Sequence, residues 1–118
     1  MVLSIFVDGS GGPNSGYGFF VKETGESFYK KEPNITNNQA EYMAIISALK
    51  KFSDITDEIL IYSDSKNTVL QLNHEYAINN DKLRSLARET WDLAAKFPNL
   101  QIKWIPRNQN LAGKMLGS

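Results

Sequence analysis

Three carboxylates, Asp8, Glu41 and Asp64, are the residues of this sequence best suited to do chemistry. Asp8 and Asp64 each follow a run of apolar residues that is typical of a β-strand, and Glu41 lies on the apolar stripe of a predicted helix. Carboxylates that converge repel one another and are costly to bury unless a cation neutralises them. Oxygen ligands favour Mg²⁺ or Mn²⁺, so the pattern indicates a site for a hard divalent cation.

Each aspartate also has a simpler explanation. An aspartate beside glycine or serine commonly serves in a turn or a helix cap, as Asp8 and Asp64 would do here. Glu41 is harder to explain in that way, because a carboxylate on an apolar helix face needs a partner or a metal. Spacing alone therefore leaves a functional and a structural role open.

The elements that must position these acids can be predicted from the apolar periodicity. Strands are predicted at residues 2–7, 17–22, 27–31, 58–63 and 100–105. Helices are predicted from the capping residues 36–38 to about residue 52, at 65–72, from 79–81 to about 97, and at 111–116. The order β-β-β-α-β-α-α-β-α predicts a mixed sheet with helices around it, and an opening antiparallel meander.

The predicted sheet brings the acids together. Ligands bind at the carboxyl ends of strands in open α/β sheets, where Asp8 and Asp64 are expected. Glu41 shares its helical stripe with Ala44, Ile45, Ala48 and Phe52 and is expected to face the sheet. Elsewhere, Trp91 borders an apolar stripe and is expected in the core, whereas His74 is expected on an exposed loop.

Composition narrows the function classes. The 118 residues fit one domain, residues 1–118, and 13 Lys+Arg against 13 Asp+Glu give no net charge for bulk attraction to nucleic acid. The absence of cysteine excludes disulfides, thiolate catalysis and cysteine-ligated metals, and agrees with a cytoplasmic protein. No apolar run approaches the ~20 residues of a membrane span. We expect a monomer with no membrane and no protein partner.

Three motifs surround the acids: FVDGS at residues 6–10, TNNQAEYMAIISAL at 36–49 and IYSDS at 61–65. In type, order and spacing they resemble the motifs of type 1 ribonuclease H. The resemblance implies an α/β, ribonuclease H-like fold: a five-stranded mixed sheet, three antiparallel strands then parallel strands, flanked by helices. It also implies hydrolysis of the RNA strand of RNA/DNA hybrids. Asp8, Glu41 and Asp64 would hold two Mg²⁺ or Mn²⁺ ions when substrate is bound, and the products would carry 5′-phosphate and 3′-hydroxyl ends.

The resemblance further implies that short polar groups around the acids contact the hybrid. Uncharged donors and acceptors suit the 2′-hydroxyl, which distinguishes RNA from DNA. The predicted substrate-binding residues are Gly9, Ser10, Asn14, Thr36, Asn37, Asn38, Gln39, Ser65, Lys66 and Arg107. Capping and turn chemistry is the alternative for several of them. Arg107 stands in a loop where many members of the family have a histidine, and is expected to bind a phosphate.

One family feature is missing. Members ordinarily carry a fourth acid at the start of the last helix, and alignment places Gly113 there. Asn110, three residues earlier, either completes the metal site through its carboxamide oxygen or only caps the helix. The loss of that acid also leaves an alternative to catalysis, namely a catalytically impaired module that binds hybrids or RNA.

Overall fold

Five strands and four helices make up the part of the chain that the computed structural model describes, residues 2–55 and 57–116. The strands are β1 Val2–Ser10, β2 Gly16–Val21, β3 Ser27–Lys31, β4 Glu58–Ser63 and β5 Leu100–Trp104. The helices are α1 Asn37–Lys51, α2 Lys66–Leu72, α3 Asp81–Ala94 and α4 Leu111–Leu116, with a 3₁₀ turn at Arg107–Gln109. The predicted order of elements is confirmed.

The strands form one mixed sheet in the order β3-β2-β1-β4-β5. The pairs β1/β2 and β2/β3 are antiparallel, while β1/β4 and β4/β5 are parallel. This topology confirms the prediction of three antiparallel strands followed by parallel ones. It also places the carboxyl ends of β1, β4 and β5 at the same edge of the sheet.

Strand β1 is longer than its apolar run predicts. It continues through Asp8 to Ser10, because Asp8, Gly9 and Ser10 pair with β2 at Gly18, Tyr17 and Gly16 after the pairing with β4 has ended at Ser63. The prediction that the strand ends at residue 7 is therefore wrong, and Asp8 lies within the strand. Helix α3 is shorter than predicted and ends at Ala94 instead of about Phe97, although Phe97 is still buried.

Helix α1 covers the centre of the sheet. It begins in a capping box, in which the Thr36 hydroxyl accepts from the Gln39 N–H at 3.1 Å and the Gln39 side chain accepts from the Thr36 N–H at 3.1 Å. These bonds satisfy two backbone donors that a helix start would otherwise leave unpaired. The predicted inward stripe is confirmed, because its five members are all buried: Glu41, Ala44, Ile45, Ala48 and Phe52.

The core lies between α1, α3 and one face of the sheet, and includes Ile5, Ile45 and Ile61, each with no exposed surface. Trp91 is partly buried and packs against this core, and its indole N–H donates to the Leu72 carbonyl at 3.0 Å. His74 is exposed, as predicted, and stacks on Trp91 with ring centroids 4.7 Å apart. Among the described residues there is no helix with the length and apolarity to cross a membrane.

Candidate functional site

The three predicted carboxylates meet at the carboxyl edge of the sheet. Asp8 comes from β1, Asp64 directly follows β4, and Glu41 comes from the first half of α1. Each offers an oxygen, and these oxygens lie within 4.8 Å of one another. Asp8 and Glu41 are only 7% and 8% exposed, so the cluster is buried on one side and open on the other.

A glycine fixes the position of Glu41. The backbone N–H of Gly9 donates to Glu41 Oε1 at 2.7 Å, which ties α1 to β1 beside Asp8. The approach needs glycine, because a Cβ at position 9 would lie 2.4 Å from the carbonyl carbon of Ala40. The sequence therefore places glycine where a helix must approach the strand that carries an acid.

Burial and repulsion dominate the electrostatics of Glu41. Its pKa is raised from 4.5 to about 8, mainly by burial and then by the negative charges of Asp8 and Asp64. The Gly9 N–H and the charge of Arg107 act in the opposite direction but do not cancel the shift. Three oxygen ligands that repel one another in a buried position fit a divalent cation of the Mg²⁺ or Mn²⁺ type, since such an ion removes the repulsion.

An open cleft of about 370 Å³ lies over the carboxylates. Nine residues line it, and all of them are among the predicted site residues: Asp8, Gly9, Ser10, Asn37, Asn38, Glu41, Asp64, Ser65 and Arg107. A larger groove of about 440 Å³ lies between α3 and the loop after α2, and its lining contains none of the predicted site residues. Chemistry is therefore expected in the smaller cleft, where the titratable groups converge.

The remaining predicted residues lie outside the lining of the cleft. Thr36 and Gln39 form the capping box of α1, so the capping alternative accounts for their side chains. Asn14 is exposed in the turn before β2. Lys66 holds its ammonium group 5.7 Å above the ring of Trp104.

Ser65 both lines the cleft and caps a helix. Its hydroxyl caps α2 by accepting from the Thr68 N–H at 3.4 Å.

Asn110 is buried completely and caps α4. Its carboxamide oxygen accepts from the N–H groups of Ala112 at 3.0 Å and Gly113 at 3.4 Å. Its amide nitrogen donates to Asp64 Oδ2 at 3.1 Å and to the Val7 carbonyl at 2.9 Å. The group that faces Asp64 is thus the nitrogen, which is not a metal ligand. The expectation that the oxygen coordinates a metal is corrected, and the capping alternative describes this oxygen.

Trp104 is a residue of the site's surroundings that the sequence analysis overlooked. Its indole N–H donates to the main-chain carbonyl of Asp64 at 3.2 Å, and its side chain remains 45% exposed. The parallel register pairs Trp104 with Ser63, which places the indole next to the residue after Ser63. The parallel pairing of the last strand with the strand that ends at residue 63 gives this contact only in this register, which the sequence does not fix.

Comparison with known proteins identifies relatives over most of the chain. A family model described as reverse transcriptase-like matches residues 23–117. A putative hydrolase, EbsB, of Enterococcus faecalis is 34% identical in an alignment that covers 98% of this chain and 90% of that protein. Ribonuclease HI of Halobacterium salinarum is 34% identical over 97 residues, which are 81% of this chain and 47% of that protein.

Solved structures share the fold. Ribonuclease H1 of Halobacterium salinarum superposes with a TM-score of 0.88 at 27% identity, covering 98% of this chain and 94% of that one. LC11 ribonuclease H1, solved in complex with an RNA/DNA hybrid, has a TM-score of 0.86 at 24% identity, covers 97% of this chain and 92% of that one, and shows the fold alone. The family-model match shows that this chain belongs to the reverse transcriptase-like family, and the similarity to ribonuclease HI and the shared fold confirm the predicted resemblance to type 1 ribonuclease H.

Proposed function

We propose that this chain is an endoribonuclease that hydrolyses the RNA strand of RNA/DNA hybrids and leaves 5′-phosphate and 3′-hydroxyl ends. The observation that carries the proposal is the cluster of Asp8, Glu41 and Asp64, whose oxygens lie within 4.8 Å of one another at an open cleft. The similarity to ribonuclease HI supports the substrate class, and a protein of the same fold has been solved with an RNA/DNA hybrid bound.

The donor set fits Mg²⁺ or Mn²⁺, and we propose that Asp8, Glu41 and Asp64 would hold the metal, as two ions once substrate is bound. Bound metal of this kind polarises phosphoryl oxygens and lowers the pKa of water, which is the chemistry that phosphodiester hydrolysis needs. The chain's own contribution is a fixed geometry. Asp8 lies on a strand of the sheet and Asp64 directly follows another. Glu41 lies on the helix that covers the sheet, and the Gly9 N–H holds it in place.

Arg107 supplies the positive charge of the cleft. It lines the cleft together with the three carboxylates, and its charge lowers the pKa of Glu41. A guanidinium binds phosphate oxygens through two parallel hydrogen bonds, but it does not exchange protons near neutral pH. Arg107 therefore holds the phosphate of the scissile or departing group, and proton transfer is left to water and the carboxylates.

Neutral groups at the rim of the cleft provide the contacts that recognise RNA. Ser10, Asn37, Asn38 and Ser65 line the cleft around the acids, and Gly9 brings its backbone there. Hydroxyl and carboxamide groups can both donate to and accept from a ribose 2′-hydroxyl. They distinguish the RNA strand from DNA, while Asn14 and Lys66 lie outside the lining of the cleft.

A second candidate function is binding of hybrids without cleavage. The observation that favours it is the missing fourth acid, because the structure puts a buried Gly113 in the first turn of α4 and turns the Asn110 oxygen into a helix cap. The three clustered acids favour catalysis, since without a cation their burial and repulsion are unfavourable.

A cleavage assay separates the two candidates. The RNA strand of a hybrid is labelled at its 5′ end and incubated with the protein and Mg²⁺ or Mn²⁺, beside a DNA duplex of the same sequence and a hybrid that is 2′-O-methylated around the cut sites. We expect cleavage of the unmodified hybrid alone. Binding of the hybrid without cleavage in either metal would contradict catalysis, and equal cleavage of the DNA duplex would contradict the RNA specificity.

A further inference from the structure

A single carboxamide joins three elements at the base of the site. Asn110 has no exposed surface, and its two N–H groups and its oxygen are all used: the nitrogen donates to Val7 O and Asp64 Oδ2, and the oxygen accepts from Ala112 and Gly113. The partners fix which end of the amide is which. A backbone carbonyl only accepts and a backbone N–H only donates, so the nitrogen must face Val7 and Asp64.

The two acceptors of the nitrogen belong to the two strands that deliver the aspartates. Val7 immediately precedes Asp8 on β1, and Asp64 immediately follows β4. Val7 and Ser63 are partners in the parallel register, so the bonds bridge neighbouring strands where that pairing ends. Loss of this bridge would leave a buried carbonyl and one carboxylate oxygen without their donor.

We propose that Asn110 is a positioning residue that orients the Asp64 carboxylate toward the metal site. The bond from the amide to Oδ2 fixes the rotation of the Asp64 carboxylate, one oxygen of which lies within 4.8 Å of oxygens of Asp8 and Glu41. Hydrogen bonds to ligating carboxylates commonly set metal affinity in this way. The inference rests on the proposed function only in that the metal serves hydrolysis.

Two substitutions separate the cap from the contact with Asp64. Asn110→Ser and Asn110→Asp both retain an oxygen that caps a helix well, but both lose the N–H donors to Asp64 and Val7. If Asn110 were a metal ligand, Asn110→Asp would strengthen metal binding by adding charge. If Asn110 is a positioning residue, Asn110→Asp should instead weaken metal binding. The new carboxylate oxygen would face the Asp64 carboxylate and the Val7 carbonyl without a donor.

Asn80 provides the matched control. It caps α3, its carboxamide oxygen accepts from the Leu83 N–H at 3.0 Å, and this contact involves no acid of the site. Asn80→Ser and Asn80→Asp therefore make the same chemical changes at a helix cap outside the cleft.

The experiment is titration of the folded proteins with Mn²⁺ alone, by calorimetry and without nucleic acid, with circular dichroism giving the folded fraction. We expect the dissociation constant for Mn²⁺ to rise by about tenfold or more in both Asn110 variants and to stay unchanged in both Asn80 variants. Wild-type affinity in the Asn110 variants, tighter binding by Asn110→Asp, or a loss no larger than the unfolded fraction would overturn the proposal. A hybrid-cleavage assay on the wild-type protein is read separately, so failure of the proposed function would not be mistaken for failure of this inference.

Discussion

The backbone N–H of Gly9 donates to Glu41 Oε1 at 2.7 Å, and this bond joins the strand that carries one acid to the helix that carries another. Helix α1 lies so close to β1 at this point that no side chain fits between them. The distance between Asp8 and Glu41 thus depends on one glycine, which makes it a sensitive test of the site's geometry.

Gly9→Ala is predicted to damage both the fold and the site. Its Cβ would lie 2.4 Å from the Ala40 carbonyl carbon, so α1 must move away from β1. Overpacking of this kind costs about 1–3 kcal/mol of unfolding free energy. Urea unfolding and Mn²⁺ titration measure the two effects, and we expect a loss in each. A variant with wild-type stability and wild-type Mn²⁺ affinity would show that the close approach does not matter.

The stability of the metal-free protein is predicted to fall as the pH rises. Glu41 keeps its proton up to a pKa of about 8 in the folded protein, whereas the unfolded chain loses that proton near the ordinary glutamate pKa of 4.5. The stability that this difference contributes is fully present below about pH 4.5 and is lost as the pH rises through about 8. Across that interval the unfolding free energy should fall by up to roughly 1 kcal/mol per pH unit.

Urea unfolding in the presence of a chelator, from about pH 5 to about pH 8, measures this dependence. Glu41→Gln should flatten the slope and should make the metal-free protein more stable than the wild type at the upper end. Glu75→Gln, which changes an exposed glutamate, is the control and should keep the wild-type slope. Identical slopes for wild type and Glu41→Gln would show that Glu41 is not the group responsible.

Arg107→Gln is predicted to weaken cleavage of the hybrid. It removes the guanidinium that lines the cleft, and hydrogen bonds to a charged group are worth about 1.5–3 kcal/mol, so kcat/KM should fall by about tenfold or more. Arg107→Lys should recover part of the loss, because it restores charge without the two parallel hydrogen bonds. The matched control is Arg88→Gln, in the groove beside α3. Equal activity of the Arg107→Gln and Arg88→Gln proteins would exclude a role for Arg107 in phosphate binding.

The sequence predicts most of the frame, because the frame follows from local patterns. The apolar stripe that includes Glu41 determines how α1 faces the sheet, and a continuous apolar run predicts the central strand that ends before Asp64. Strand β1 is an exception. Its extension through Asp8 depends on pairing with β2, and the residues Asp8, Gly9 and Ser10 read by themselves as a turn.

The details of the site depend on contacts between distant parts of the chain. Asn110 meets Val7 across 103 positions of sequence, and no local pattern shows which end of its amide points toward the acids. Trp104 meets Asp64 because β5 pairs in parallel with β4, and the register of that pairing is not fixed by either strand alone. Sequence patterns identified Asn110 as a residue of interest, and only the fold shows what it contacts.

The loss of cleavage on neutralising one acid at a time is the most direct test of the central claim. Asp8→Asn, Glu41→Gln and Asp64→Asn each remove a ligand without adding charge to the cluster, so the metal-free variants should fold about as stably as the wild type at neutral pH. Asp92→Asn, at an exposed position of α3, is the control.

The measurement is the initial rate of cleavage of a labelled RNA/DNA hybrid in Mg²⁺ and in Mn²⁺. Our account predicts that each of the three variants loses more than about a hundredfold in rate while Asp92→Asn keeps the wild-type rate. An Asp64→Asn protein that cuts the hybrid at a near wild-type rate would contradict the assignment of the site.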